Sequence, residues 1–232
     1  MRSGAIIVGA LLTELALGRP AAAQNLLLNN SFGTDSFANW NLTSSGTTTG
    51  AAVVIATDNV ARNYPTGAYN EAIPNDTLTT GSPNLSSGYA AYFTTDTGSQ
   101  TLSQSLTLSA GTYSIGFDLF VPTNGYANPN DATFSGSIAG TPLLSSASVA
   151  NIGKTDGVAK WVTVDGSAKV TTVGTYQASF TFTGSAVPAK DILVDRVFVV
   201  AGNVTNVPEP ATLGVFGLAL AALAAARRHR RG

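Results

Sequence analysis

Apolar and polar residues alternate with a period of two over long stretches of the chain. Tyr113, Ile115, Phe117, Leu119 and Val121 share one parity, and Ser114, Gly116 and Asp118 take the other. Tyr176, Ala178, Phe180 and Phe182 alternate with Gln177, Ser179 and Thr181, and Leu102, Leu106 and Leu108 share a parity. Period two sends successive side chains to opposite faces, so each run predicts a strand with one buried face. Residues 53–56, 89–93, 158–164 and 192–200 predict four more strands. Gly, Asn, Asp and Ser collect between them, at 110–111, 124–125 and 165–166, where turn chemistry predicts reversals. No stretch of 12 residues in the body carries a helical period. Many short strands with turn signals predict an all-β, antiparallel jelly-roll β-sandwich. Residues 58–88 break the pattern, with Pro65, Pro74 and Pro83 and little alternation. A loop of about 30 residues inside a compact domain is expected to be functional or mobile.

The two ends follow other rules. Arg2, the apolar run 5–12 and Ala21-Ala22-Ala23 predict a secretory signal cut between Ala23 and Gln24. At the far end, Pro208-Glu209-Pro210 precedes the apolar run 211–226, and Arg227, Arg228, Arg230 and Arg231 follow it. The run predicts one short transmembrane helix, and the arginines hold its end in the cytoplasm. The chain therefore divides into a signal peptide (1–23), a β-sandwich domain (24–202), a linker with the Pro-Glu-Pro motif (203–210), a transmembrane helix (211–226) and an Arg-rich cytoplasmic tail (227–232).

Composition removes whole classes of chemistry. The 232 residues include no cysteine, and the one histidine, His229, lies in the tail. A disulfide framework, a thiolate metal site, a Cys nucleophile and a Ser-His-Asp triad in the body are all excluded. Residues 24–206 hold six Lys and Arg against eleven Asp and Glu, so nucleic-acid binding has no electrostatic footprint. Most of the acids are single Asp residues in turn-like settings, and Glu71 is the one Glu of the body. No base with an orienting partner stands out, so the expectation is a protein without catalytic residues and not an enzyme.

Pro-Glu-Pro, a short Ala/Leu/Gly-rich run and an Arg cluster, in that order over residues 207–232, resemble the PEP-CTERM sorting signal. The resemblance implies delivery by the Sec machinery, an inner-membrane-anchored precursor, and removal of the tail near Pro208, Glu209 and Pro210 by an exosortase. It also implies a Gram-negative bacterium that makes extracellular polysaccharide, with the product at the cell surface or in the extracellular matrix. Three further segments are similar to galactose-binding-like carbohydrate-binding modules: 25–32 with Trp40, 100–118 and 192–197. That resemblance implies a jelly-roll sandwich, often with a structural calcium. Asp195 matches the closing Asp ligand, whereas the opening Glu position is Gly33, with Asp35 as its substitute. No other cofactor is implied.

Sugars stack their C–H faces on exposed aromatic rings. Tyr64, Tyr69 and Tyr126 lie in Pro/Asn/Gly-rich loops and are the carbohydrate-binding candidates, together with Trp161, which is out of phase with Val162 and Val164 and expected to face outward. Asn124, Asn128, Asn130 and Asp131 share a loop with Tyr126 and serve either hydroxyl recognition or turn chemistry. Trp40 is expected in the core. The combined expectation is an exported structural or adhesive module of the cell surface or exopolysaccharide with weak carbohydrate binding. A purely structural surface protein without ligand is the alternative, followed by ice binding and polysaccharide hydrolysis.

Overall fold

The computed structural model describes residues 24–79, 82–152 and 159–202. The signal peptide, the Pro-Glu-Pro linker, the transmembrane run and the arginines expected to orient it lie outside the described residues. Among the described residues no helix is long and apolar enough to cross a membrane.

Among the described residues ten strands form two antiparallel five-stranded sheets: β1 (Asn41–Ser45), β2 (Val53–Ala56), β3 (Tyr89–Phe93), β4 (Thr97–Leu108), β5 (Gly111–Phe120), β6 (Ala132–Ile138), β7 (Thr141–Ser148), β8 (Val162–Val170), β9 (Gly174–Ser185) and β10 (Ile192–Ala201). The first sheet runs β1-β4-β9-β6-β7 and the second β2-β3-β10-β5-β8. One helical turn, α1 (Thr123–Ala127), follows β5. The all-β sandwich that the period-two pattern predicts is the observed architecture.

The alternating residues explain how the sheets meet. Leu102 and Leu106 of β4, Phe180 and Phe182 of β9 and Phe134 of β6 point inward from the first sheet. Ile115, Phe117 and Leu119 of β5 and Val194 and Val199 of β10 meet them from the second. Phe117 and Phe180 touch edge to face with ring centroids 4.9 Å apart, and Phe93 stacks on Phe182 at 5.9 Å. Trp40 joins this core, its Nε1 donating to the carbonyl of Asn29. The outward positions of the first sheet are Ser and Thr, paired across strands as Ser99 with Thr183 (2.7 Å) and Thr101 with Thr181 (2.9 Å). Its five strands carry no charged residue.

The second sheet is covered on both faces. β10 is buried along its whole length except Ala201, which is why its sequence reads as apolar on both parities, broken only by Asp195 and Arg196, rather than as an alternation. The outer cover is the Pro-rich segment between β2 and β3. Ala68 and Ile73 from it seal a second cluster with Ile55, Ala90, Tyr92, Phe120, Trp161 and Leu193. The segment is a packed layer on the sheet. One expectation is corrected here. Trp161 does leave the main core as its phase predicts, but the face it leaves for is roofed: it is buried against Phe120 at 5.3 Å, and its Nε1 donates to the carbonyl of Pro74 at 2.8 Å.

A buried arginine fastens the cover. β10 carries an irregularity between Asp195 and Phe198, and Arg196 sits there with φ 47. Its guanidinium donates to the carbonyls of Leu78, Ser82 (3.3 Å) and Asn84 (3.1 Å) and pairs with Asp118 (3.0 Å) and Asp76 (3.4 Å).

The pairing fixes two poles. Ile192 faces Phe93 and Leu193 faces Phe120, so the start of β10 and the ends of β3 and β5 share one pole. Ala201 faces Tyr113 at the other, where Gly202 donates to the carbonyl of Thr112.

Candidate functional site

The first pole carries a pocket of about 290 Å³ lined by Tyr69, Thr94, Asp96, Asn124, Asn128, Pro188 and Asp191. Four connections build it. Tyr69 comes from the cover segment, Thr94 and Asp96 from the β3–β4 turn, Asn124 and Asn128 from α1 and its end, and Pro188 and Asp191 from the approach to β10.

Tyr69 supplies the aromatic wall. Tyr69 and Asn70 are consecutive left-handed residues, with φ 46 and φ 66, and they turn the chain back so that Asn70 N donates to the carbonyl of Arg62. Strained backbone of this kind concentrates at binding sites. Tyr64 stacks behind Tyr69, with centroids 5.2 Å apart and planes 7° apart, and is held by its own hydroxyl bond to the carbonyl of Ala51. Tyr69 is nevertheless 51 % exposed, an aromatic face available to a ligand.

The polar wall is set by the same turn. Glu71 accepts the backbone N–H groups of Thr123 and Asn124, both at 2.7 Å, and so docks α1 onto the cover. Asn124 donates its side-chain amide to the carbonyl of Tyr69 at 3.3 Å. Asn128 donates to the carbonyl of Ala189. Asp96 accepts Ala189 N at 2.6 Å and the hydroxyl of Thr49 at 3.4 Å.

Asp191 forms the floor. It is 4 % exposed, and one oxygen, Oδ2, accepts the Tyr92 hydroxyl at 2.7 Å. Among the described residues no group donates to its Oδ1. Burial pushes its carboxyl up to about 7; the Tyr92 bond lowers it, and the charges of Asp96 and Glu71 raise it further. Thr94 is also buried, and its hydroxyl has no hydrogen-bond partner. Gly125 lets α1 approach: a Cβ there would stand 2.7 Å from Asp191 Cβ and 3.0 Å from its Oδ2.

The remaining candidates fall elsewhere. Tyr126 does not line the pocket; its ring is covered by Lys190, whose Nζ lies 4.6 Å from the centroid and donates to the carbonyls of Tyr126 and Asn128. Trp161 is buried beneath the cover. Asp35 is exposed at a left-handed turn position, φ 51. Asp195 is fully buried, its oxygens engaged by the Ser86 hydroxyl and by Arg196 N. Among the described residues no group of three or more His, Cys, Asp and Glu is placed to hold a metal ion. Gln24 is exposed at the start of the described chain, whereas Ala23, Pro208, Glu209 and Pro210 lie outside it. Asp96 and Asp191 carried no sequence signal of their own, because a lone Asp beside Thr or Lys reads as turn chemistry.

Comparison with known proteins adds the sorting signal. The PEP-CTERM protein-sorting motif matches residues 206–231. It marks the chain as an exported protein of the bacterial surface, anchored in the membrane before release to the outside. No curated protein matches the chain. Solved structures similar in fold include TmCBM61 in complex with β-1,4-galactotriose, at 17 % identity and TM-score 0.42, covering 77 % of this chain and 99 % of that one. The CBM22-1 xylan-binding domain of Paenibacillus barcinonensis Xyn10C matches at 15 % identity and TM-score 0.41, covering 79 % and 97 %. The Stig cyclase Fisc of Fischerella sp. TAU matches at 14 % identity and TM-score 0.45, covering 77 % and 98 %. Sugar-binding modules and an enzyme stand side by side among these, so the function rests on this chain's own residues.

Proposed function

We propose that the chain is an exported carbohydrate-binding module that attaches to polysaccharide at or outside the bacterial surface, with the first-pole pocket as its sugar site. One observation carries the reading: the half-exposed Tyr69 ring, backed by Tyr64, stands across a small pocket from Asp96, Asn124, Asn128 and Asp191. A pyranose presents an apolar C–H face and a rim of hydroxyls, and this pair of walls matches both. Carboxylates accept, and amides both accept and donate, which suits the hydroxyls of a sugar. Thr94 and Asp191 Oδ1 hold hydrogen-bonding capacity that the protein leaves unused. The sorting motif supports the setting, with exosortase as the processing partner and surface polysaccharide as the binding partner.

Titration of the full chain with a panel of neutral and amino-bearing hexasaccharides tests the reading. Tyr69→Ala removes the aromatic wall and is expected to weaken binding by about 1–3 kcal/mol, roughly a 5- to 150-fold loss. Absence of binding to every sugar in the panel would leave a purely structural surface protein.

Polysaccharide hydrolysis is the second reading. Two carboxylates line one pocket, and one of them sits near neutral pKa, the arrangement that lets one acid donate a proton while another stays ionised. Release of reducing ends by the chain, lost in Asp191→Asn, would turn the binding site into an active site.

A further inference from the structure

The pocket's charge is one-sided. Asp96 and Asp191 line it, Glu71 lies behind Asn124, and none of the seven lining residues is cationic. The nearest cation along the chain, Lys190, is not among the lining residues, its Nζ donating to the carbonyls of Tyr126 and Asn128. A neutral sugar would leave this negative field uncompensated and would answer the free carboxylate oxygen of Asp191 with a hydroxyl alone. A charged donor answers both needs, because a hydrogen bond from an ammonium to a carboxylate is shorter and stronger than one from a neutral hydroxyl. Asp191 Oδ1 is such an acceptor: it belongs to a side chain more than nine-tenths buried, lines the pocket and has no donor among the described residues. Thr94 adds a buried hydroxyl, set beside the Tyr69 hydroxyl and with no hydrogen-bond partner. Tyr69 offers its face to the ring of such a sugar, charged or not.

We infer that the pocket selects sugars that carry a free ammonium group, the class represented by de-N-acetylated hexosamine chains, with the ammonium between Asp96 and Asp191 and the ring on Tyr69. The inference rests on the sugar-binding reading and deepens it by naming the sugar class. N-acetylation removes the charge and adds bulk at the same atom, so it is the change the site would resist most.

The test compares three hexasaccharides on the full chain by calorimetry at neutral pH: fully deacetylated glucosamine, N-acetylglucosamine and glucose, each β-1,4-linked. The glucosamine chain is expected to bind at least about tenfold more tightly than the other two. Asp191→Asn keeps an acceptor for Tyr92 and is expected to abolish the preference; Asp96→Asn is expected to reduce it. Both variants are first shown to melt within a few degrees of the parent. Tyr69→Ala is expected to weaken all three ligands alike. Equal affinity for the three sugars would overturn the selection while leaving a sugar site. Binding of none would overturn the sugar reading as well. A glucosamine preference that survives in Asp191→Asn would put the ammonium elsewhere and overturn the assignment. Saturable calcium binding lost in Asp191→Asn, with no preference among sugars, would make the pocket a metal site instead.

Discussion

At the scale of single residues, Arg196 and Gly125 each do something no other residue could do in their place. Arg196 is a cation with no solvent, held by three carbonyls and two carboxylates. Its replacement by Leu strands Asp76 and Asp118 in the interior and is expected to cost about 3–5 kcal/mol, measured by denaturant unfolding. Gly125 allows α1 to lie against Asp191. In Gly125→Ala the added carbon must displace Asp191 or the helix turn, with about 1–3 kcal/mol of overpacking and weakened ligand binding, read by melting and titration together. The candidate site was half legible at this scale. Tyr69, Asn124 and Asn128 announced themselves as aromatic and amide residues in loops rich in Pro and Gly. Asp96, Asp191 and Thr94 did not, because their meaning comes from burial, and burial comes from strands far away in sequence. Arg196 was equally silent, since an Arg in an apolar strand is indistinguishable by pattern from one that turns to water.

Elements differ in how openly they wrote themselves into the sequence. β3, β5, β9 and β10 follow directly from alternation or from a buried apolar run. β6 hid because its inward series is Ala132, Phe134, Gly136 and Ile138. A glycine stands at the third place since a Cβ there would lie 2.5 Å from the Phe117 ring, so the core borrows its side-chain volume from the opposite sheet. β1 and β7 are edge strands whose side chains are exposed or only partly buried, and such strands carry little hydrophobic signal. Asp165 and Gly166, expected in a turn, run inside β8, where that edge strand is exposed. The cover segment was recognised as unusual, but its Pro-rich look hid that it packs. Its hold on the sheet depends on Trp161. Trp161→Ala empties the second cluster and loses the bond to Pro74, an expected cost of about 3–5 kcal/mol. Limited proteolysis is expected to cut that variant first between residues 57 and 88, before the sandwich itself.

For the molecule as a whole, buried acids set the response to pH. Burial, with Asp76 beside it, pushes Asp118 up to about 8; burial pushes Asp191 up to about 7 and Asp195 well above its ordinary range. In the unfolded chain these groups ionise near pH 4. Between those values the folded state binds more protons than the unfolded state, so stability falls as pH rises from about 4 to about 8. Asp58 acts in the opposite sense, because its bond to Arg62 lowers its pKa and that support is lost in acid. The melting temperature is therefore expected to peak near pH 4–5 and to decline towards pH 8, a profile that Asp118→Asn flattens. Ligand binding is expected to follow a different profile. With Tyr69, Glu71, Tyr92 and Asp96 around it and Lys190 next in the chain, Asp191 gains its charge as pH rises through about 7, while a hexosamine ammonium loses its own near neutrality, so affinity for a cationic sugar is expected to pass through a maximum near neutral pH and to fall on both sides.

The opposed poles give the molecule a direction. The described chain leaves at Gly202, beside Tyr113 and Thr112, and the sorting motif begins four residues later. The pocket opens where β10 starts, one ten-residue strand away, or about 33 Å at strand spacing. A tether at the C-terminal signal would join the domain at the pole opposite the pocket, so in the proposed reading attachment and sugar binding do not compete for the same surface.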